Sequence, residues 1–239
     1  HKINGTIVEC NTAYPGKRMK TEDHLVTIKA HGFCDIADVD IMDSEGSIEI
    51  TVNYQGHLQN KNIVGSHINN YDSMLVLSHF KGHKMGGFGG ALKNMSIGVA
   101  SSNGKAWIHS VGRTTSPLEL RNYTEDQDGF LESMAEADKA VVGHFGCDNM
   151  AYINVANKIS IDCDCDSNPS EPEMADIGIY ASLDPVALDK CCYDAIINSK
   201  DEGKASLIKR MEEKHAIHIV EIAEELGIGT TDYEIINID

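Results

Sequence analysis

The stretch SMLVLSHFKGHKMGGFGGALKNMSIGVAS, residues 73–101, decides how the chain is read. SMLVLS (73–78) is a short apolar run of strand length, and ALKNMSIGVAS (91–101) has helical composition. Between and around them, HFKGHKMGGFGGALKN (79–94) carries two histidines, three lysines and five glycines in sixteen residues. A strand, a permissive backbone and a helix in that order place the glycines at a strand's C-terminal end. Open α/β sheets bind ligands there, beside helix N-termini.

Outward from this stretch the same alternation continues. GTIVEC (5–10) reads as a strand, NTAYPGKR as a polar loop, and Thr21 with Glu22 and Asp23 opens a helix ending near His31 and Gly32. ADVDIMD (37–43) and SIEITVNY (47–54) flank a Ser-Glu-Gly turn, the second as a strand with one wet face. Residues 125–146 predict a helix, 150–161 and 176–182 strands, and Pro185 behind Asp184 a helix with an aspartate N-cap. Residues 205–227 have helical spacing up to Gly227, and DYEIINI predicts a last strand. The expected fold is one α/β domain over residues 1–239, a mainly parallel sheet flanked by helices, with its site at the strand C-terminal ends after residues 10, 78 and 161.

The 239-residue chain is long enough for a sizeable core, and its 37 acidic against 20 basic residues give a net charge of −17. That charge repels phosphate backbones, so nucleic acid is not an expected partner. No run approaches the roughly 20 apolar residues of a spanning helix, so no membrane partner is expected. Seven scattered cysteines, an odd number, predict reduced thiols and a cytoplasmic location. The chain opens at His1 in what already reads as strand, so a leading piece, able to hold part of the site, is expected to be missing.

Named residues exclude the familiar readings of the glycine-rich stretch. Lys93 stands between Leu92 and Asn94, so no Walker hydroxyl follows it. Gly87 and Gly89 start a dinucleotide fingerprint that fails at Leu92, and His79 and His83 enclose Phe-Lys-Gly instead of a zincin Glu. What survives is a backbone that a ligand can approach closely, through Gly82, Gly86, Gly87, Gly89 and Gly90, beside His79, Lys81, His83 and Asn94. Lys93 falls in the first turn of the following helix, where the macrodipole disfavours a cation, so it is a candidate nucleophile or base. The alternative is a lysine that snorkels to solvent above glycines needed only for packing.

YPGKR, SHFKGHKMGGFGGALKNMSIGVAS, GKAWIH, CDC and DIGIYASLDPVALDK occur in an order that resembles the family known as domain of unknown function 362. The likeness runs from about Asn11 to the DYEII ending. It implies a fold and a site and no settled reaction. Members joined to ferredoxin-type modules imply an iron-sulfur association and a ferredoxin-type redox partner, although this chain has no CxxCxxCxxxCP run. The family pattern also draws attention to Arg18, as a clamp for a carboxylate or phosphate, and to His24. A local likeness, over about thirty residues, is to the lactate racemases, which use a nickel-pincer nucleotide. His83, GGFGG, Lys93 and His109 keep the racemase spacing, which implies a covalent anchor at Lys93 and a metal ligand at His109.

Two further constellations remain. DCDCDSNPSEP (162–172) puts Cys163 and Cys165 on one side of an extended chain among acids, a candidate zinc or iron site that needs Cys147 or Cys191 and Cys192 for four thiolates, or else a polar loop with two thiols. Asp184 has a sufficient role as N-cap and also faces the expected ligand crevice. The leading expectation is an enzyme for a small anionic molecule, with Lys93 as base or anchor and His83 and His109 as acid-base groups or metal ligands. The alternative is a non-catalytic metal or iron-sulfur protein for electron transfer or metal handling.

Overall fold

The structure is a computed structural model and describes residues 5–123, 125–166 and 168–238. Strand β1 (Thr6–Glu9) leads through the polar loop to helix α1 (Thr21–Ala30) and pairs in parallel with β2 (Asp38–Ile41). The Ser-Glu-Gly turn does not close a hairpin, because β3 (Ser47–Thr51) pairs antiparallel with β4 (Lys61–Gly65) instead. Strand β5 (Met74–His79) pairs in parallel with β8 (Met150–Ala156), and β8 pairs antiparallel with β9 (Gly178–Ser182). The glycine-rich stretch forms a small ribbon of its own, β6 (Lys81–His83) against β7 (Gly87–Gly89).

The fold therefore mixes helices and strands as expected, but the mainly parallel sheet is corrected. Among the described residues three of the five ladders are antiparallel, and the strands are divided among four small sheets. Helices also cover one face of the β5-β8-β9 sheet only. Helix α2 (Ala91–Val99) and helix α5 (Pro185–Asn198) pack on it, while Leu75, Leu77 and Ile179 on the other face are 57%, 60% and 71% exposed. The β5 alternation turns Val76 and Ser78 inward and those leucines outward, as a period of two requires.

Helix α3 (Ser102–His109) follows α2 almost directly, with the Ser101 hydroxyl accepting from Gly104 N–H as N-cap. Its Ser, Asn and Gly hide it from propensity, and its apolar Ala106, Trp107 and Ile108 are buried. Helix α4 (Gln127–Phe145) starts at the Asp126 N-cap and runs through the core, burying Leu131, Met134 and Val141 completely or nearly so. Each such side chain contributes about 2 kcal/mol by leaving water. The expected single C-terminal helix is two, α6 (Ala205–Glu213) and α7 (His218–Glu225), broken where His215 takes a left-handed φ of 51°. Strand β8 ends at Ala156, short of the expected 161, with Lys158 two residues on at a φ of 42°, and residues 232–238 join no ladder. No helix among the described residues is long and apolar enough to cross a membrane.

Candidate functional site

The site is built where β5 and β8 end. Beyond His79 the buried Phe80 stacks on Phe88, with ring centroids 5.2 Å apart, and fixes the ribbon over the core. The ribbon turns back through Gly87 at a φ of 78°, a conformation that favours glycine. It lies flat on the segment after β8. Gly82 N–H donates to the Ser160 carbonyl at 2.8 Å, and a Cβ on Gly82 would come within 2.1 Å of the Ile161 oxygen. Close approach of these two backbones brings the cysteine loop to His83. That loop is braced by Asp162, whose carboxylate accepts from Ser170 N–H and hydroxyl at 3.2 and 2.8 Å.

His83, Cys163 and Cys165 now meet, with one ligand atom from each lying within 4.8 Å of the others. The His83 Nδ1 accepts Gly86 N–H at 2.9 Å and Met85 N–H at 3.3 Å, so the neutral ring carries its proton on Nε2. That nitrogen is left to donate to Cys163, with which His83 is hydrogen-bonded. Cys163 also receives Cys165 S–H at 2.8 Å and Cys165 N–H at 3.4 Å. The donated Cys165 proton first, then the His83 bond and the Lys93 charge, hold the Cys163 thiol down at about 3 against the opposing effect of burial. Cys165 keeps the proton and is pushed up, chiefly by that same bond.

Lys93 is half-buried at the third position of α2, and burial lowers its pKa against the attraction of the Cys163 charge. His109 at the end of α3 donates Nδ1–H to the Lys105 carbonyl at 2.7 Å, so Nε2 keeps a lone pair. Burial brings His109 down to about 4, and the charges of Lys93, His83 and Lys105 oppose its protonation further. The three sequence candidates Lys93, His83 and His109 thus share one electrostatic environment. Lys81 and Lys93 both border Gly89, where an added Cβ would lie 4.0 Å from Lys81 Nζ and 3.9 Å from Lys93 Cδ.

The loop after β1 closes the other side. Arg18 donates to the Tyr14 hydroxyl at 3.2 Å, Tyr14 is hydrogen-bonded with Cys165, and the Arg18 charge is felt by both. His24 is buried and its Nδ1 meets Asn11 Oδ1 at 3.2 Å, with burial lowering its pKa. His79 faces two acceptors, Asp164 at 2.8 Å and the Asn157 carbonyl at 2.7 Å, so both ring nitrogens carry protons and its pKa is raised, first by Asp164. A cleft of about 260 Å³, lined by Leu77, Ser78, His79, Val155, Asn157 and Lys158, opens beside it at the paired ends of β5 and β8.

Other candidates are engaged structurally. Asn94 donates to the Leu77 carbonyl and the Ser78 hydroxyl, both at 3.0 Å, tying α2 to β5. Asp184 caps α5 through Val186 and Ala187 N–H and accepts Thr230 N–H as well. Gly87 and Gly90 make room for protein, because a Cβ on either would come within 2.4 Å of Ala216 Cβ or Asp189 Oδ1 respectively.

Sequence reasoning did not find Asp189. Fully buried on α5, it accepts Ala91 and Leu92 N–H at 2.8 and 3.0 Å and Asn154 amide at 2.7 Å, so the α2 N-terminus already holds a carboxylate. Nor did it find Lys105, buried in a helix that propensity hid, with Nζ on the Ala100 carbonyl at 2.6 Å. The third thiol for a four-thiolate site does not arrive among the described residues. His57 and His218 both bond Glu132, at 2.6 and 2.9 Å.

Against known proteins, the chain matches the family described as "Domain of unknown function (DUF362)" over residues 2–194. No curated protein sequence matches it. Among solved structures it is similar to the lactate racemase apoprotein from Thermoanaerobacterium thermosaccharolyticum, at 17% identity and a TM-score of 0.43. That match covers 80% of this chain and 40% of the racemase chain, so the chain spans less than half the racemase length.

Proposed function

Because the chain belongs to the DUF362 family, whose description names no reaction, we propose a function from the site itself: an enzyme acting on a small anionic molecule at Lys93, His83 and His109. The observation that carries this reading is the gathering of Lys81, Lys93 and Lys105 around two histidines, with Arg18 beside Cys165, in a chain of net charge −17. A local positive field inside an acidic surface attracts a small anion and excludes polyanions. Arg18 supplies a planar fork for a carboxylate or phosphate. Lys93, depressed by burial, is the base or covalent anchor, and His109, with a free Nε2 lone pair, accepts a proton.

Lys93 and His109 also fit the anchor and ligand positions of a nickel-pincer nucleotide, since one is a depressed amine and the other presents an unprotonated Nε2. Such a group, when bound, supplies an electrophilic centre beside the substrate.

Calorimetric titration with short 2-hydroxy and 2-oxo carboxylates and inorganic phosphate tests the proposal. Saturable binding by one class, weakened about tenfold or more in Lys93→Met and Arg18→Met, is expected. Equal binding by the variants, or none by the parent, overturns it. The metal or iron-sulfur reading rests on the convergence of His83, Cys163 and Cys165. The proton on His83 Nε2 and the surrounding cations count against it. Metal analysis of anaerobically purified protein separates the two readings.

A further inference from the structure

Three donors converge on one sulfur in this site, and the mechanism proposed for the anion does not use that sulfur. Cys163 Sγ accepts from Cys165 Sγ at 2.8 Å, from Cys165 N–H at 3.4 Å and from His83. Cys163 is 8% exposed, while Cys165 is exposed. The other cysteines lack this arrangement. Cys10 donates its S–H to the Val99 carbonyl at 3.3 Å, and burial pushes it up to about 12. Cys191 and Cys192 are also raised by burial. Cys34 and Cys147 are exposed.

From this geometry we infer that Cys163 and Cys165 form a peroxide-reactive dithiol, with Cys163 as the attacking thiolate, Cys165 as the resolving thiol and a hydroperoxide as the co-substrate. A nearly buried sulfur admits a reagent only a little larger than water, which favours a hydroperoxide over a protein disulfide. In the first step Cys163 sulfur attacks one peroxide oxygen. The S–O bond forms, the O–O bond breaks, and the departing oxygen takes a proton from solvent and leaves as an alcohol or water, while the His83 Nε2–H stays in place as a hydrogen-bond donor. In the second step Cys165 sulfur attacks Cys163 sulfur. The S–S bond forms, the S–O bond breaks, and the Cys165 proton leaves with the hydroxide as water. One thiolate, one thiol, one hydroperoxide and one solvent proton become one disulfide, one alcohol and one water, a two-electron oxidation of the protein. An external dithiol returns the pair to its starting state by exchange.

This does not depend on which anion the site binds, so Lys93→Met tests the proposed function and Cys165→Ser tests the dithiol. Reduced protein is treated with substoichiometric hydrogen peroxide and its cysteine peptides are followed by mass. The 163–165 peptide should lose about 2 Da at least about tenfold faster than Cys34 or Cys147 is oxidised, and dithiothreitol should reverse the loss. In Cys165→Ser the Cys163 sulfenic acid should persist and be trapped by a 1,3-diketone probe. His83→Leu should slow the reaction at fixed pH, as loss of a donor to the Cys163 sulfur requires. Oxidation of Cys163 no faster than the exposed cysteines overturns the inference, as does Cys165→Ser without a trapped adduct. Thiols held silent by a metal until a chelator removes it overturn it as well.

Discussion

Replacing Asp189 with Ala tests the contact that sets Lys93 at its height in the site. The carboxylate accepts three hydrogen bonds, from Ala91 N–H, Leu92 N–H and the Asn154 amide. Each buried donor left without a partner costs about 1–3 kcal/mol, so truncation of this three-donor acceptor removes about 3–9 kcal/mol before any offset. The offset is the cost of burying the charge. Burial raises the Asp189 pKa from 3.8 to about 6 against the pull of the three donors. For an acid so raised, the associated stability is fully present below pH 3.8 and is lost as pH rises through about 6, a difference of about 3 kcal/mol at neutral pH. Asp189→Ala escapes that loss. It should therefore be destabilised by up to about 6 kcal/mol at pH 7 and by more near pH 4.5, with Asp189→Asn in between because an amide oxygen still accepts. Urea unfolding followed by the fluorescence of Trp107, the single tryptophan and a core residue, measures both. A destabilisation larger at pH 7 than at pH 4.5 would refute the reasoning, because it would mean that the three donors outweigh burial and the charged form is the favoured one.

Gly87→Ala should cost about 2–4 kcal/mol, since φ is 78° and the new Cβ meets Ala216 Cβ at 2.4 Å. Gly89→Ala, with its nearest neighbours at 3.9–4.0 Å, should cost less than about 1 kcal/mol in the same urea assay. Cyanate modification at rising pH should reach Lys93, lowered by burial, before the exposed Lys84, raised by its Asp166 partner; peptide mapping reads the order. Glu132 is held low by His218 and His57, against an opposing effect of burial that is the largest single influence, so its stabilisation is present above about pH 4.5 and fades as pH falls through its lower folded value. Glu132→Gln should accordingly lose about 1 kcal/mol at pH 7, with the gap closing in acid, because the partly exposed pair is screened by solvent.

Local sequence determined the elements whose causes are local. β1, α1, β5, α2 and α5 begin and end within a residue or two of where alternation, acidic first turns, Gly90 and the Asp184-Pro185 cap put them. It also selected the stretch of the candidate site, because five glycines stand beside histidines and lysines at a strand end. What it did not show depends on contacts across the chain. β8 takes β9 as an antiparallel neighbour, a choice that belongs to the whole sheet and to neither strand alone. The glycines split into Gly82, Gly87 and Gly90, which let backbone, Ala216 and Asp189 approach, and Gly89, which borders the lysines. Their spacing is the same whether the neighbour is protein or ligand.

The site differs most from its sequence outline at the cysteines. Cys163 lies eighty residues from His83, and no periodicity links them; they meet because Gly82 lets the ribbon lie against residues 160–161. The tautomer of His83 is likewise decided by a backbone N–H three residues on, once the ribbon turn has formed. Sequence alone thus singled out the candidate residues Lys93, His83, His109, Cys163 and Cys165. Tertiary structure decided their partners, because hydrogen bonds and desolvation act over a few ångströms of space whatever the distance along the chain.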